Sequence, residues 1–61
     1  ETTALNNYLQ AVIAARNNDQ EGVFSNLRSA IQKDDALAEM AATDMEFVEY
    51  MENETFNSIV Q

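Results

Sequence analysis

The chain carries one abundant kind of reactive group, the carboxylate. It holds eleven Asp and Glu against three Lys and Arg, with no His and no Cys. Without imidazole or thiol, Cys/His zinc sites, disulfides, thiol nucleophiles and imidazole base catalysis are all excluded. What remains is paired-carboxylate work. Glu46 and Glu49 stand one helical turn apart, a spacing that puts two acids on one face. Such a pair hydrolyses a glycosidic bond only inside a cleft that holds the bond between them. A chain of 61 residues can hardly wrap one. The acids therefore read as exposed helix carboxylates, and no enzyme is expected. Calcium finds no loop either, because no stretch alternates Asp and Asn oxygens around a turn glycine with a closing Glu. No cofactor and no metal are expected.

The acids are not spread evenly. Up to residue 33, Glu1, Asp19 and Glu21 balance Arg16, Arg28 and Lys33. From residue 34 onward come Asp34, Asp35, Glu39, Asp44, Glu46, Glu49, Glu52 and Glu54 with no base, so the whole net charge of −8 lies there. Phosphate backbones and anionic membrane surfaces need Lys and Arg, so no nucleic-acid partner is expected. No apolar run approaches the roughly 20 residues of a membrane span, and no basic stretch followed by an apolar core marks a signal peptide. Neither membrane insertion nor a particular compartment is implied. An acidic half would attract a basic partner in a salt-dependent way, or simply keep the chain solvated.

The elements that must position these groups are helical. There is no Pro and a single Gly, and the β-branched residues are scattered. Leu5, Tyr8, Leu9, Val12 and Ile13 recur at helical spacing on one face, with alanines on the flanks. This predicts a first helix over Thr3–Arg16, capped by Thr2 or Thr3. Asn17-Asn18-Asp19 is the strongest turn signal, since Asn and Asp tolerate left-handed backbone. Asn18 and Asp19 both offer caps, with Asn18-Asp19-Gln20-Glu21 resembling a capping box, for a second helix from about Gln20 to Lys33, whose stripe is Val23, Phe24, Leu27, Ala30 and Ile31. Gly22 in its first turn permits a close approach of the neighbouring helix. So short a link predicts an antiparallel αα-hairpin. Leu9 and Leu27 are both expected to be buried, and Leu9→Ala or Leu27→Ala should cost about 2–5 kcal/mol, enough to unfold a marginal domain. Asp34-Asp35 marks the next boundary and caps a short third helix, Ala36–Ala42, carrying Leu37, Met40 and Ala41.

The tail contains a repeat of period nine. The segment from Asp44 to Met51 aligns with that from Asn53 to Val60. Each unit has a capping residue, an aromatic three positions on, and a further apolar pair. The expected anchors are Phe47, Tyr50 and Met51, then Phe56, Ile59 and Val60. Single helical turns are marginal alone, so these should exist only by packing on the hairpin.

From Leu5 to Asp35 the chain resembles one tetratricopeptide repeat, a helix–turn–helix of about 34 residues. The matching positions are the small Ala11 in the first helix, Asn18 and Asp19 at the turn, Val23 opening the second helix, Leu27, then the small Ala30, and Asp34-Asp35 at the close. The departures are Asn7, with Tyr8 and Leu9 beside it, where an early aromatic or Leu is usual, Ala14 where a later aromatic is usual, and the missing closing Pro. The rest of the chain, Ala36–Gln61, is similar to the endings of many bacterial members, which follow a capping helix with paired Asp-x-x-Phe-type turns. Here these are Asp44…Phe47 and Asn53…Phe56.

The resemblance implies an all-α domain over residues 1–61. Residues 1–34 form the repeat and 35–61 the capping helices, together the terminal unit of a longer solenoid. It also implies a protein-interaction or scaffold role, with a protein or peptide partner. The groove-facing candidates are Leu5, Tyr8, Val12, Ala15 and Arg16. Leu5, Tyr8 and Val12 have the alternative of packing against a preceding repeat. Tyr8 and Val12 stand where some members carry the Lys and Asn of a carboxylate clamp, so that clamp is not implied. Two other functions fit the residues: an acidic inhibitor that mimics nucleic-acid charge, and a helical bundle that self-associates as a homodimer through its exposed hairpin face.

Overall fold

Thr3 opens the first helix, its hydroxyl accepting the Asn6 amide at 3.1 Å. The structure, a computed structural model, describes residues 3–60. Thr2, the alternative cap, lies outside the described residues. The elements are α1 (Ala4–Arg16), α2 (Gln20–Lys33), α3 (Ala36–Ala42), a 3₁₀ helix (Met45–Tyr50) and α4 (Glu54–Val60). No strand occurs among the described residues, and the fold is all-α.

The turn between α1 and α2 works as its residues dictate. Asn18 takes φ 59°, the left-handed conformation that Asn tolerates best after Gly. Asp19 then caps α2, its carboxylate accepting the Gly22 amide at 3.1 Å. The chain folds straight back. Gly22 meets Ala14 so closely that a Cβ on the glycine would lie 3.0 Å from the Ala14 Cβ. Towards the other end, the Lys33 ammonium donates to the Asn7 side-chain oxygen at 2.8 Å. The two helices are therefore antiparallel. That ammonium supplies a partner for Asn7, a buried polar side chain of the helix pair. At the α2–α3 corner the capping oxygen comes from Asp34, which accepts the Ala36 amide at 3.1 Å, while Asp35 makes no side-chain cap.

The core is built from alanines and aromatics. Its members are Tyr8, Ala11, Ala14, Val23, Phe24, Leu27, Ala30, Ala41, Phe47, Tyr50 and Phe56. The alanines let α1 and α2 approach, and the tail supplies three of the five rings. Leu37, Met51, Ile59 and Val60 pack partly buried against it, while Met40 of α3 is exposed.

The buried face of α1 differs from the one its large apolar residues suggest. Leu5, Leu9 and Ile13 are 58%, 50% and 50% exposed, whereas Ala11 and Tyr8 are at 0% and 4%. Successive residues on a helix are about 100° apart, so Leu9 and Ala11 lie on nearly opposite sides. α1 thus has two apolar arcs. The hairpin buries the small one because a close crossing needs Ala against Gly, and a row of Leu there would force the helices apart.

Candidate functional site

All five aromatic rings of the chain meet in one buried chain of contacts. Tyr8 of α1 stands edge-on to Phe47 at 5.7 Å between centroids, at 89°. Phe24 of α2 meets Tyr50 at 5.8 Å and 73°. Phe56 of α4 closes the row, 5.8 Å from Phe47 and 6.4 Å from Tyr50. Edge-to-face pairs of this kind add about 0.5–1.5 kcal/mol each beyond the area they bury.

Local capping delivers these rings. The Asp44 carboxylate accepts the Glu46 amide at 2.9 Å and so starts the 3₁₀ turn. Asn53 does the same for α4, accepting from Thr55 at 2.8 Å and Phe56 at 3.1 Å. Phe47 leaves helical backbone at φ −108°, ψ 23°, a kink that turns its ring inward. The two units of the nine-residue repeat therefore act as two similar caps, each aiming a Phe into the hairpin.

Two polar links tie the tail to α1. The Tyr8 hydroxyl donates to the Asp44 carboxylate. Arg16 donates to both oxygens of Glu46, at 3.1 and 2.8 Å. Arg16 keeps Glu46 below the usual carboxylate range, chiefly by this hydrogen bond. The pair is solvent-exposed, so it sets register more than it adds stability.

Burial, then the Asp44 carboxylate, pushes the Tyr8 phenol well above its ordinary pKa, and burial does the same to Tyr50. A raised folded-state value means the stability is fully present below the unfolded pKa of about 10 and is lost as pH rises beyond it. Tyrosinate absorbance should therefore appear together with loss of the helical circular dichroism signal, in one alkaline transition. Ionisation at an ordinary tyrosine pH with the helices intact would show that the rings are not buried.

The residues expected to face a partner do not share one surface. Tyr8 points into the core and is covered by the tail rather than by a preceding repeat. Val12 and Ala15 are half-buried against the same core. Arg16 is exposed but engaged with Glu46. Beside it, Ala15, Met45, Val48 and Tyr50 line an open hollow of about 330 Å³. Leu5 is exposed, together with Leu9 and Ile13. That i, i+4, i+8 row on α1 is the most regular exposed apolar feature of the described residues, and Leu9 and Ile13 were not among the expected contact residues. The signal for it lay in the alanines. A helix apolar on nearly all sides has two faces to cover.

No helix among the described residues is long and apolar enough to cross a membrane. Comparisons with protein-family models, with curated proteins and with solved structures each give no match.

Proposed function

We propose that this chain is a non-catalytic protein-interaction module, the capped terminal unit of a tetratricopeptide-type helical stack. Its docking surface is the outward row Leu5, Leu9 and Ile13. The observation that carries this reading is that row: three aliphatic side chains, each at least half exposed, on the side of α1 away from its own core. A helix that belongs to a stack needs a second apolar face for its neighbour, and a terminal unit needs a closing element on its other side. The tail aromatics fit the second role, since they cover Tyr8 and Phe24 from within the chain. Arg16 and the hollow beside it form the rim at which a bound peptide segment would meet both α1 and the 3₁₀ turn.

The test is to join one consensus tetratricopeptide hairpin ahead of the chain. Stacking should merge the two parts into one cooperative melt and shift the methyl resonances of Leu5, Leu9 and Ile13. Independent melting with unchanged methyls would refute the reading.

A further inference from the structure

The hollow beside Arg16 has apolar walls and a negative rim. Ala15 of α1 and Met45 and Val48 of the 3₁₀ turn line it, the last two 75% and 54% exposed. Its charged residues are Arg16, Glu46 and Glu49. Arg16 donates to both oxygens of Glu46. The Glu49 carboxylate has no hydrogen bond or ion pair among the described residues, so the hollow keeps one uncompensated negative charge.

Tyr50 adds a second feature. It is 7% exposed, it lines the hollow, and its hydroxyl makes no hydrogen bond among the described residues. A buried phenol ordinarily has a partner. The hydroxyl is not sealed off, because no fully buried polar side-chain atom among the described residues lacks a partner. The hollow that Tyr50 lines is the space from which it can be reached. Burial, then the carboxylates of Glu49 and Asp19, raise the phenol's pKa, so the surroundings of this oxygen are negative.

These features exclude most occupants. An anion would meet Glu49 as a like charge. A wholly apolar segment would strip water from Glu49 and from the phenol without replacing its hydrogen bonds. Lys and Arg side chains suit both walls and rim, since their aliphatic stems lie along apolar surface and their heads bring positive charge and N–H donors. The net charge of −8 also draws cations toward the chain. We infer that the hollow between the end of α1 and the 3₁₀ turn docks a basic peptide segment, seating one Lys or Arg side chain with its stem on Ala15, Met45 and Val48 and its head at Glu49 and the Tyr50 hydroxyl. The inference rests on the reading of this chain as a protein-interaction module and names the chemistry of the partner met at that rim. Another hollow has the opposite character: Arg28 lines it with Ile31, Gln32, Ser58 and Ile59, and no acid does. It is the internal control.

The test titrates the whole chain with an end-capped peptide of alternating Lys and Leu, read by NMR. At a Debye length of about 30 Å, the methyls of Ala15, Met45 and Val48 and the Tyr50 ring should shift together, while the methyls of Ile31 and Ile59 stay in place. Affinity should fall several-fold when salt shortens the Debye length to about 8 Å. Glu49→Gln and Tyr50→Phe should each weaken binding roughly three- to tenfold. Glu39→Gln removes an equal charge from α3, outside the hollow, and should change binding by less than about twofold. Circular dichroism checks the fold of each variant. Parent-like binding by either Glu49→Gln or Tyr50→Phe overturns the inference. Equal losses for Glu49→Gln and Glu39→Gln overturn it too, in favour of unlocalised charge attraction. So does the absence of binding at about 1 mM peptide in low salt, or equal binding of a peptide of alternating Glu and Leu. Failure here with a stacking consensus hairpin removes only the basic partner. Binding here without such stacking removes only the solenoid reading.

Discussion

Phe47→Ala is expected to cost about 3–5 kcal/mol and to leave much of the chain unfolded at room temperature. The ring is fully buried and touches both Tyr8 and Phe56. Removing it takes away one ring contact with α1 and one with α4 in a single step. A chain of 61 residues has a total stability of only about 3–9 kcal/mol, so the loss is comparable with the whole. The measurement is a urea or thermal melt followed by helical circular dichroism. The neighbouring Val48 is 54% exposed, and Val48→Ala should stay within about 0.5 kcal/mol of the parent. A Phe47→Ala variant that melts cooperatively near the parent temperature would mean that the tail is not docked.

Leu27→Ala is the second large effect, about 2–5 kcal/mol. Leu27 is the only fully buried Leu among the described residues. The informative comparison is Leu9→Ala. Both residues are leucines in apolar stripes of helical spacing, and the stripes alone predict equal costs. The structure separates them, since Leu9 is half exposed. Leu9→Ala should fall within about 0.5 kcal/mol of the parent when the chain is dilute and monomeric. Equal losses for the two variants under those conditions would place Leu9 in the core after all.

Most of the helix boundaries were legible because they are local. Thr3, Asp19, Asp44 and Asn53 each bond an amide two or three residues ahead, and Asn18 adopts the conformation its side chain favours. The tail repeat was legible for the same reason: its Phe residues follow their caps at a fixed interval, and both are buried. The inward face of α1 was not legible. Periodicity weighs side chains by size, so Leu5, Leu9 and Ile13 outweighed Ala11 and Ala14. The decision belongs to a partner helix, where Gly22 leaves room for alanine and not for leucine. The burial of Tyr8, one of the candidate contact residues, was not legible for a related reason. Tyr8 was free to face a partner until Asp44 and Phe47, far along the chain, covered it.

The contacts that close the tail also give the molecule an order of assembly. α1 and α2 are adjacent in sequence and meet through a three-residue turn, whereas Tyr8 finds Asp44 across 36 positions and Arg16 finds Glu46 across 30. Closing those larger loops carries more entropy than forming the hairpin. The hairpin is thus expected to form early and the tail to dock late. In reverse, release of the tail is expected to be the first opening of the native state, which native-state hydrogen exchange would read. Amide exchange is then expected to be faster in the 3₁₀ turn and α4 than in α2, so that the half of the chain holding the whole net charge is also the half that opens first.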